Sequence, residues 1–384
     1  MKVAILGSTG FLGTQILEVL SEYPDSFEIC LLSGFKNYRK LREQIDAYHP
    51  DYAFLKEVKE EKINNTVFLS EEKLREVLFS SKIEGIFIAS AGLDFLDIFA
   101  GLLGLPKTLW IASKELMIVA GEILKNKISV FANQNLIPLD SEHYALWSIL
   151  KGMQDPGRVE KVYLTASGGP FYEWRGSFED ITPEMTLAHP NWKMGDKITV
   201  DSATLVNKGL EVIEACYLFE LSYHQIDVFV QRESYLHAGV RLKDGMYHMV
   251  MFPPDMRKVI RASLYPFLKK KTMPSPDLFA QELGGVRTLS FDYPVSERFQ
   301  GFYLALEAAR KGGGYPAFFC GADQACVEAF LTRRLSFGEI AVVLEECLQA
   351  RVPNPSNLQE AFEIYQRGYH LAKERIVVRG RSQC

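Results

Sequence analysis

The chain has 384 residues, 47% hydrophobic and 24% charged, with a formal net charge of -5, which is ordinary globular material long enough for two or three domains. That charge argues against a generic nucleic-acid or anionic-membrane surface, so an anionic ligand has to be held by a few locally placed cations and backbone amides. Six cysteines with no C-x-x-C pair and no dense framework read as isolated thiols in a reducing compartment, and a cytoplasmic location is expected.

The opening M-K-V-A-I-L is too short for a signal-peptide core and reads as a first strand at residues 2–6. It runs into G-S-T-G-F-L-G and then an amphipathic stretch at 14–23, where Ile16, Leu17, Val19 and Leu20 recur at helical spacing. Strand, glycine turn and helix follow one another. Further strands are predicted at 27–32, 53–55, 67–69, 85–89 and 108–111, alternating with helical segments, which implies a parallel sheet covered on both faces. The most apolar later stretch, 83–112, is broken by Glu84, Asp94, Asp97, Pro106 and Lys107 and cannot supply the roughly 20 apolar residues of a membrane span. After about residue 140 the glycine, serine and proline punctuation thickens, a loop-bearing and functional pattern. Residues 265–293 read as a linker, and 298–310, 323–333, 337–350 and 359–375 have helical periodicity. The expected fold is α/β: a Rossmann-like, doubly wound parallel sheet over 1–139, a central α/β catalytic domain over 140–264, the linker, and an α-helical domain over 294–384.

Gly7, Gly10 and Gly13 sit where a strand turns into a helix, so backbone can approach a pyrophosphate and helix-terminal N–H groups can bind it. The spacing is G-x-x-G-x-x-G rather than G-x-G-x-x-G, and a purely structural tight turn is the plainer reading. NAD binders place an acidic residue at the end of the second strand for the ribose hydroxyl. Here that strand ends in Ser33, Gly34, Phe35, Lys36, Asn37, Tyr38 and Arg39, with cations and no carboxylate, which suits a 2′-phosphate and favours NADPH.

Asp140 and Glu142 follow the apolar N-L-I-P-L. At a strand end, residues i and i+2 point the same way, so both carboxylates can reach one hard cation such as Mg²⁺ or Mn²⁺. A bare D-x-E is common on surfaces, and a third carboxylate is needed. Glu211 is the candidate, sharing a helical face with Asn207 and Lys208. Such a set leaves coordination positions open for substrate oxygens. Ser167 in S-G-G-P, whose glycines free backbone N–H groups, together with Ser202, Asn207 and Lys208 suits a phosphate. The plainer reading makes Ser202 a helix N-cap and Lys208 solvated surface. His189 and Trp192, in H-P-N-W-K-M-G, look like a loop able to close over a site and exclude water.

The segments G-S-T-G-F-L-G, A-S-K-E-L, L-D-S-E-H, A-S-G-G-P-F, the run from His189 to Ala215, and P-P-D-M-R resemble, in sequence and spacing, the deoxyxylulose phosphate reductoisomerases, over nearly the whole chain. The resemblance implies a homodimer that uses NADPH and a divalent cation, Mn²⁺, Mg²⁺ or Co²⁺. It implies a cofactor site of Thr9, Gly10, Phe11, Leu12, Gly34, Lys36, Asn37, Ser113, Glu115 and Gly195, with Met256 near the nicotinamide. Asp140, Glu142 and Glu211 hold the metal. Lys114, Ser141, Glu142, Ser167, His189, Ser202, Asn207, Lys208 and Glu211 contact the sugar phosphate, with Trp192 on a closing flap; Lys114, Glu142, His189 and Glu211 are the catalytic set. The implied reaction rearranges 1-deoxy-D-xylulose 5-phosphate by retro-aldol and aldol steps and reduces the aldehyde to 2-C-methyl-D-erythritol 4-phosphate, and the family is inhibited by fosmidomycin.

Four departures stand out. Ser113 replaces an asparagine of A-N-K-E, Phe11 a serine of the glycine loop, Gln231-Arg232-Glu233-Ser234 the family's H-P-Q-S, and Asp323 the asparagine of A-N-E. They leave room for an NADPH oxidoreductase acting on another phosphorylated sugar or semialdehyde, or for a degenerate NADPH-binding homologue. A semialdehyde enzyme needs a nucleophilic cysteine beside a base, and none of the six lies in such a motif.

Overall fold

The computed structural model describes residues 1–57, 62–188, 195–270 and 288–382. They divide into two units, one of Met1–Leu116, Val130–Trp147 and Asp255–Gly285, the other of Met117–Ser129, Ser148–Pro254 and Val286–Cys384.

The first unit is built on one sheet of β1 (Lys2–Leu6), β2 (Glu28–Gly34), β3 (Tyr52–Leu55), β4 (Lys62–Ile63), β5 (Thr66–Phe68), β6 (Gly85–Ile88), β7 (Thr108–Ile111) and β8 (Leu136–Pro138). The order is β4-β5-β3-β2-β1-β6-β7-β8, and every pairing but β4 with β5 is parallel. The predicted strands fall on β2, β3, β5, β6 and β7. Val3 to Leu6 and Ile86 to Ile88 are wholly buried, the continuous apolar run of a strand covered on both faces. Helices α1 (Phe11–Ser21), α2 (Tyr38–Tyr48), α3 (Glu71–Phe79) and α4 (Leu96–Leu102) alternate with the strands, and α5 (Lys114–Ile128) and α6 (Ser141–Gly152) start at the ends of β7 and β8. The chain steps outward from β1 to β2 and β3, then returns to the other side of β1 as β6, β7 and β8. The reversal between β1 and β6 is where doubly wound sheets bind nucleotides, beyond the carboxyl ends of the strands.

In the second unit, α7 (Pro183–Leu187), α8 (Asp196–Ala203) and α9 (Val206–Leu218) lie between the strands of a smaller sheet. That sheet joins β9 (Val159–Ala166), β10 (Ile226–Val230), β11 (Leu236–Leu242) and β12 (Tyr247–Met251) in the order β10-β9-β11-β12. β9 and β10 are parallel, with α8 and α9 in their crossover; β11 is antiparallel to both neighbours. α10 (Met256–Leu264) returns to the first unit and packs on α1, where Arg261 grips Glu22 at 2.6 Å.

The C-terminal helices are Gln300–Lys311, Tyr315–Leu331, Phe337–Leu348 and Leu358–Ser382. The one expected at 323–333 begins much earlier, at Tyr315. Gly312 and Gly313, both at positive φ, break the chain, and Pro316 in the first turn restarts it. This helix crosses the last one glycine to backbone: a Cβ on Gly321 would lie 2.0 Å from the Tyr365 carbonyl, and one on Gly368 2.0 Å from that of Phe318. Of the expected linker, residues 271–287 lie outside the described residues. No helix among the described residues is long and apolar enough to cross a membrane.

Candidate functional site

The glycine turn after β1 explains itself sterically. Gly7 has φ 89°, and a Cβ there would meet Ser90 N at 2.7 Å, at the reversal between β1 and β6. A Cβ on Gly13 would lie 2.2 Å from the Gly7 carbonyl, so the third glycine lets α1 sit down on the turn. Gly10 is the N-cap of α1, with no side chain over the helix start, and Thr9, Phe11 and Leu12 flank it. Phe11, where a serine was expected, is 45% exposed. Gly34 brings the end of β2 against the Thr9 side chain, about a methyl contact away. Lys36 and Asn37 follow on the surface; the Asn37 side chain accepts from Lys40 N and caps α2. Arg39 pairs with Glu43 at 3.4 Å. Ser113, at the end of β7, donates its hydroxyl to Ser90 O at 2.6 Å and ties that strand end to the end of β6. Glu115 lies in the first turn of α5.

On the same unit Lys114, Asp140, Ser141 and Glu142 come together. Asp140 follows β8 as the cap of α6: its Oδ1 accepts from the backbone N–H groups of Glu142 at 3.1 Å and His143 at 3.4 Å. The expectation that Asp140 and Glu142 are aligned by strand alternation is therefore corrected. The chain has already turned into a helix, and the two carboxylates are neighbours because a capping aspartate points back over the first turn. Asp140 Oδ2 accepts from Lys114 Nζ at 2.8 Å, and Lys114 is 8% exposed. The Ser141 hydroxyl donates to Glu142 Oε2 at 2.5 Å. His143, fully buried, lies 3.2 Å from Asp140 Oδ1. It was assigned no role from sequence, although its i+3 spacing from Asp140 placed it there.

In the second unit α9 presents Asn207, Lys208 and Glu211 together. Glu211 is 1% exposed; it accepts from the Asn207 amide and pairs with the Lys208 ammonium. Lys208 is itself buried, which rules out a solvated surface lysine. Leu205, at φ 59°, makes the sharp junction between α8 and α9. Ser202 lies in the last turn of α8, so the N-cap reading fails: the cap is Gly195, because the helix starts a full turn and more earlier. Ser167 follows β9, and its Oγ accepts from Gly169 N at 3.3 Å. Gly168 and Gly169 both have positive φ, and a Cβ on Gly169 would lie 2.7 Å from the Ser202 carbonyl, so this loop abuts the end of α8. Met256 begins α10, after the Asp255 cap. His189 and Trp192 lie outside the described residues.

Sequence comparison decides what this assembly belongs to. Residues 3–121 match the family described as 1-deoxy-D-xylulose 5-phosphate reductoisomerase, 136–219 its C-terminal domain, and 251–370 a further DXP reductoisomerase C-terminal domain. The enzyme of that name from a Sulfurihydrogenibium species is 37% identical over 97% of this chain and 98% of its own. That of Chloroherpeton thalassium is 38% identical over 91% of each. The chain belongs to the 1-deoxy-D-xylulose 5-phosphate reductoisomerase family. Among solved structures, a DOX-P reductoisomerase in complex with NADPH, fosmidomycin and magnesium superposes with a TM-score of 0.85 at 28% identity, over 98% of both chains. The reductoisomerase of Zymomonas mobilis in complex with NADPH gives 0.84 at 27%, again over 98% of both.

Within this chain, the departures are built in. Gln231, fully buried, accepts through Oε1 from Tyr235 N at 2.9 Å and Leu236 N at 3.3 Å, and its amide donates to Glu233, so it shapes its own turn. Asp323 is 1% exposed and meets Lys197 at 2.7 Å, which also holds Asp201 at 2.5 Å. Burial pushes Cys216 and Cys347 up to about 12 and Cys30 up to about 11, the reverse of what activates a nucleophilic thiol.

Proposed function

We infer that the chain catalyses the NADPH- and divalent-metal-dependent rearrangement and reduction of 1-deoxy-D-xylulose 5-phosphate to 2-C-methyl-D-erythritol 4-phosphate, in non-mevalonate isoprenoid biosynthesis. The observation that carries this is a match along the full chain to a solved reductoisomerase in complex with NADPH, fosmidomycin and magnesium. Asp140, Glu142 and Glu211 are the residues that would hold the cation; three carboxylates are a hard-oxygen donor set suited to Mg²⁺, Mn²⁺ or Co²⁺. When bound, the cation supplies Lewis-acid stabilisation of oxygens that gain negative charge, and NADPH supplies the hydride.

The chain's own groups do the rest. Lys114 is a buried ammonium whose proton can serve a developing oxyanion, and its pairing with Asp140 keeps it oriented. Ser141, Ser202 and Asn207 are assigned hydrogen bonds to the sugar phosphate, as are Glu142 and Glu211. Lys208 and the N–H groups of the Ser167 loop suit the phosphate, whose binding energy orients the reacting end. His189 and Trp192 are assigned to the closing flap. Thr9, Gly10, Phe11, Leu12, Gly34, Lys36, Asn37, Ser113, Glu115, Gly195 and Met256 are assigned to NADPH, with Lys36 at the 2′-phosphate.

The working form is a homodimer in the cytoplasm. What supports the dimer is β12, an edge strand that exposes Tyr247, Met249 and Met251, an unprotected apolar edge. What supports the compartment is that Cys30, Cys216, Cys326 and Cys347 are free thiols. Light scattering should give twice the chain mass for the wild type and the single mass for Met249→Glu; a monomeric wild type would end the dimer reading.

The deciding test is NADPH consumption on adding 1-deoxy-D-xylulose 5-phosphate and Mn²⁺, with Glu211→Gln beside it. Turnover should need metal, prefer NADPH to NADH, and fall about 100-fold or more in the variant, since a ligand to the transition-state oxygens is lost. Wild-type protein that binds NADPH yet leaves this substrate unchanged would refute the assignment.

A further inference from the structure

We propose that Arg232 is a positioning residue that sets the affinity for the substrate's phosphate by holding the backbone of residues 167–169; this rests on the assignment of that loop to phosphate. Arg232 stands where the resemblance has a proline, which has no side-chain donor. Its Nη1 donates to Ser167 O at 2.6 Å and to Gly169 O at 2.9 Å, closing a clamp across the two glycines. Those glycines sit at φ 79° and 65°, where glycine has the widest freedom, so an unclamped loop would sample many conformers. A peptide plane is rigid and trans, with its C=O and N–H pointing opposite ways. Pinning the Ser167 carbonyl to the guanidinium therefore turns the Gly168 N–H to the opposite side, away from the arginine, leaves it able to donate to an anion, and pulls electron density from that peptide.

The arginine is braced in turn. Its guanidinium carbon lies 5.1 Å from the centre of the Tyr172 ring. Tyr172 donates its hydroxyl to Asp292 Oδ2 at 2.9 Å, and Asp292 exchanges backbone hydrogen bonds with Val230 at 2.7 and 3.0 Å, where β10 ends just before Arg232. The brace thus closes on itself around the loop. A lysine could reach one carbonyl but could not reproduce the planar fork lying on the ring.

The test compares wild type with Arg232→Met, which keeps the apolar stem against Tyr172, and with Arg232→Lys. KM for the sugar phosphate and the inhibition constant of inorganic phosphate should rise together about tenfold in the methionine variant, which corresponds to about 1.4 kcal/mol. The turnover number should change by less than about threefold, NADPH affinity should hold, and the lysine variant should fall between. A folded methionine variant whose KM and phosphate inhibition match the wild type would overturn the proposal, as would a loss confined to turnover number. The rise in melting temperature on adding inorganic phosphate is read in parallel and needs no turnover. If the wild type is inactive on this substrate, a phosphate-dependent rise lost in Arg232→Met still sustains the clamp, whereas one absent from the wild type or equal in both sinks it.

Discussion

Buried thiols give the chain a pH response of their own. Burial raises Cys216 and Cys347 from 9.0 to about 12, Cys30 to about 11, and the Tyr144 hydroxyl from 10.0 to about 12. Each group holds its proton more tightly folded than unfolded, so its contribution to stability is complete below its ordinary value and is lost as pH rises through the folded one. Lys107 and Lys151, lowered by burial, work in the opposite sense, but the thiols and Tyr144 carry the larger shifts. The urea midpoint should hold between about pH 7 and 8.5 and then fall steadily toward pH 12; a midpoint that rises over that range would contradict the assignment. At this scale the sequence was readable where a residue's chemistry is local. Glu211, Asn207 and Lys208 met as their spacing required, because three or four residues is one helical turn. Asp140 was placed correctly but for the wrong reason, since nothing in D-S-E shows whether the chain is still extended. Arg232 was noticed only as a departure; its partners lie more than sixty residues away, and no spacing rule reaches that far.

Helix α9 matters because it carries three candidate site residues on one rigid rod, and its position depends on a glycine between them. A Cβ on Gly209 would lie 2.3 Å from Ala305 Cβ on the Gln300–Lys311 helix, so N-K-G-L-E needs its glycine for packing. Gly209→Ala gains up to about 1 kcal/mol of helix propensity but forces overpacking that costs about 1–3 kcal/mol. The expected result is a lower melting temperature, by about 2–4 °C for each kcal/mol lost, with a further drop in Gly209→Val and weaker Mn²⁺ activation as α9 is displaced. An alanine variant as stable and as readily activated as wild type would show that the contact is loose. The strands of the first sheet were the most legible elements, being short apolar runs, whereas none of β9 to β12 in the second sheet was placed from sequence. The Tyr315–Leu331 helix was legible only in its second half, because its first half is buried nearly all round and has no amphipathic stripe to read.

Across the whole chain, alternation of strand and helix foretold the doubly wound sheet. Sequence could not foretell the discontinuity of the units, in which residues 130–147 and 255–270 return to the unit of the N-terminal sheet, because such returns are set by packing between distant segments. The division bears on what metal removal does. Thr9, Gly34 and Ser113 stand just beyond or at strand ends of the first unit, held by the close approach of Gly34 to Thr9 and by the Ser113 to Ser90 hydrogen bond, neither of which involves a cation. The proposed metal ligands also have partners of their own: Asp140 pairs with Lys114 and Glu211 with Lys208, so emptying the site does not leave these two carboxylates facing bare low-dielectric surroundings. Chelation should therefore abolish turnover while leaving the fold and cofactor binding intact. In EDTA, NADPH fluorescence titration should give a dissociation constant within about threefold of the metal-loaded value, because the contacts that place the cofactor residues do not run through the cation; the fold loses only the stabilisation of ligand mass action, about 2.7 kcal/mol at a hundredfold excess over the metal's dissociation constant. Mn²⁺, Mg²⁺ or Co²⁺ should then restore turnover without a refolding lag. Turnover that persists after exhaustive chelation would remove the cation from the reaction, and a protein that unfolds on chelation would show that the lysine pairings do not suffice and that the metal is structural.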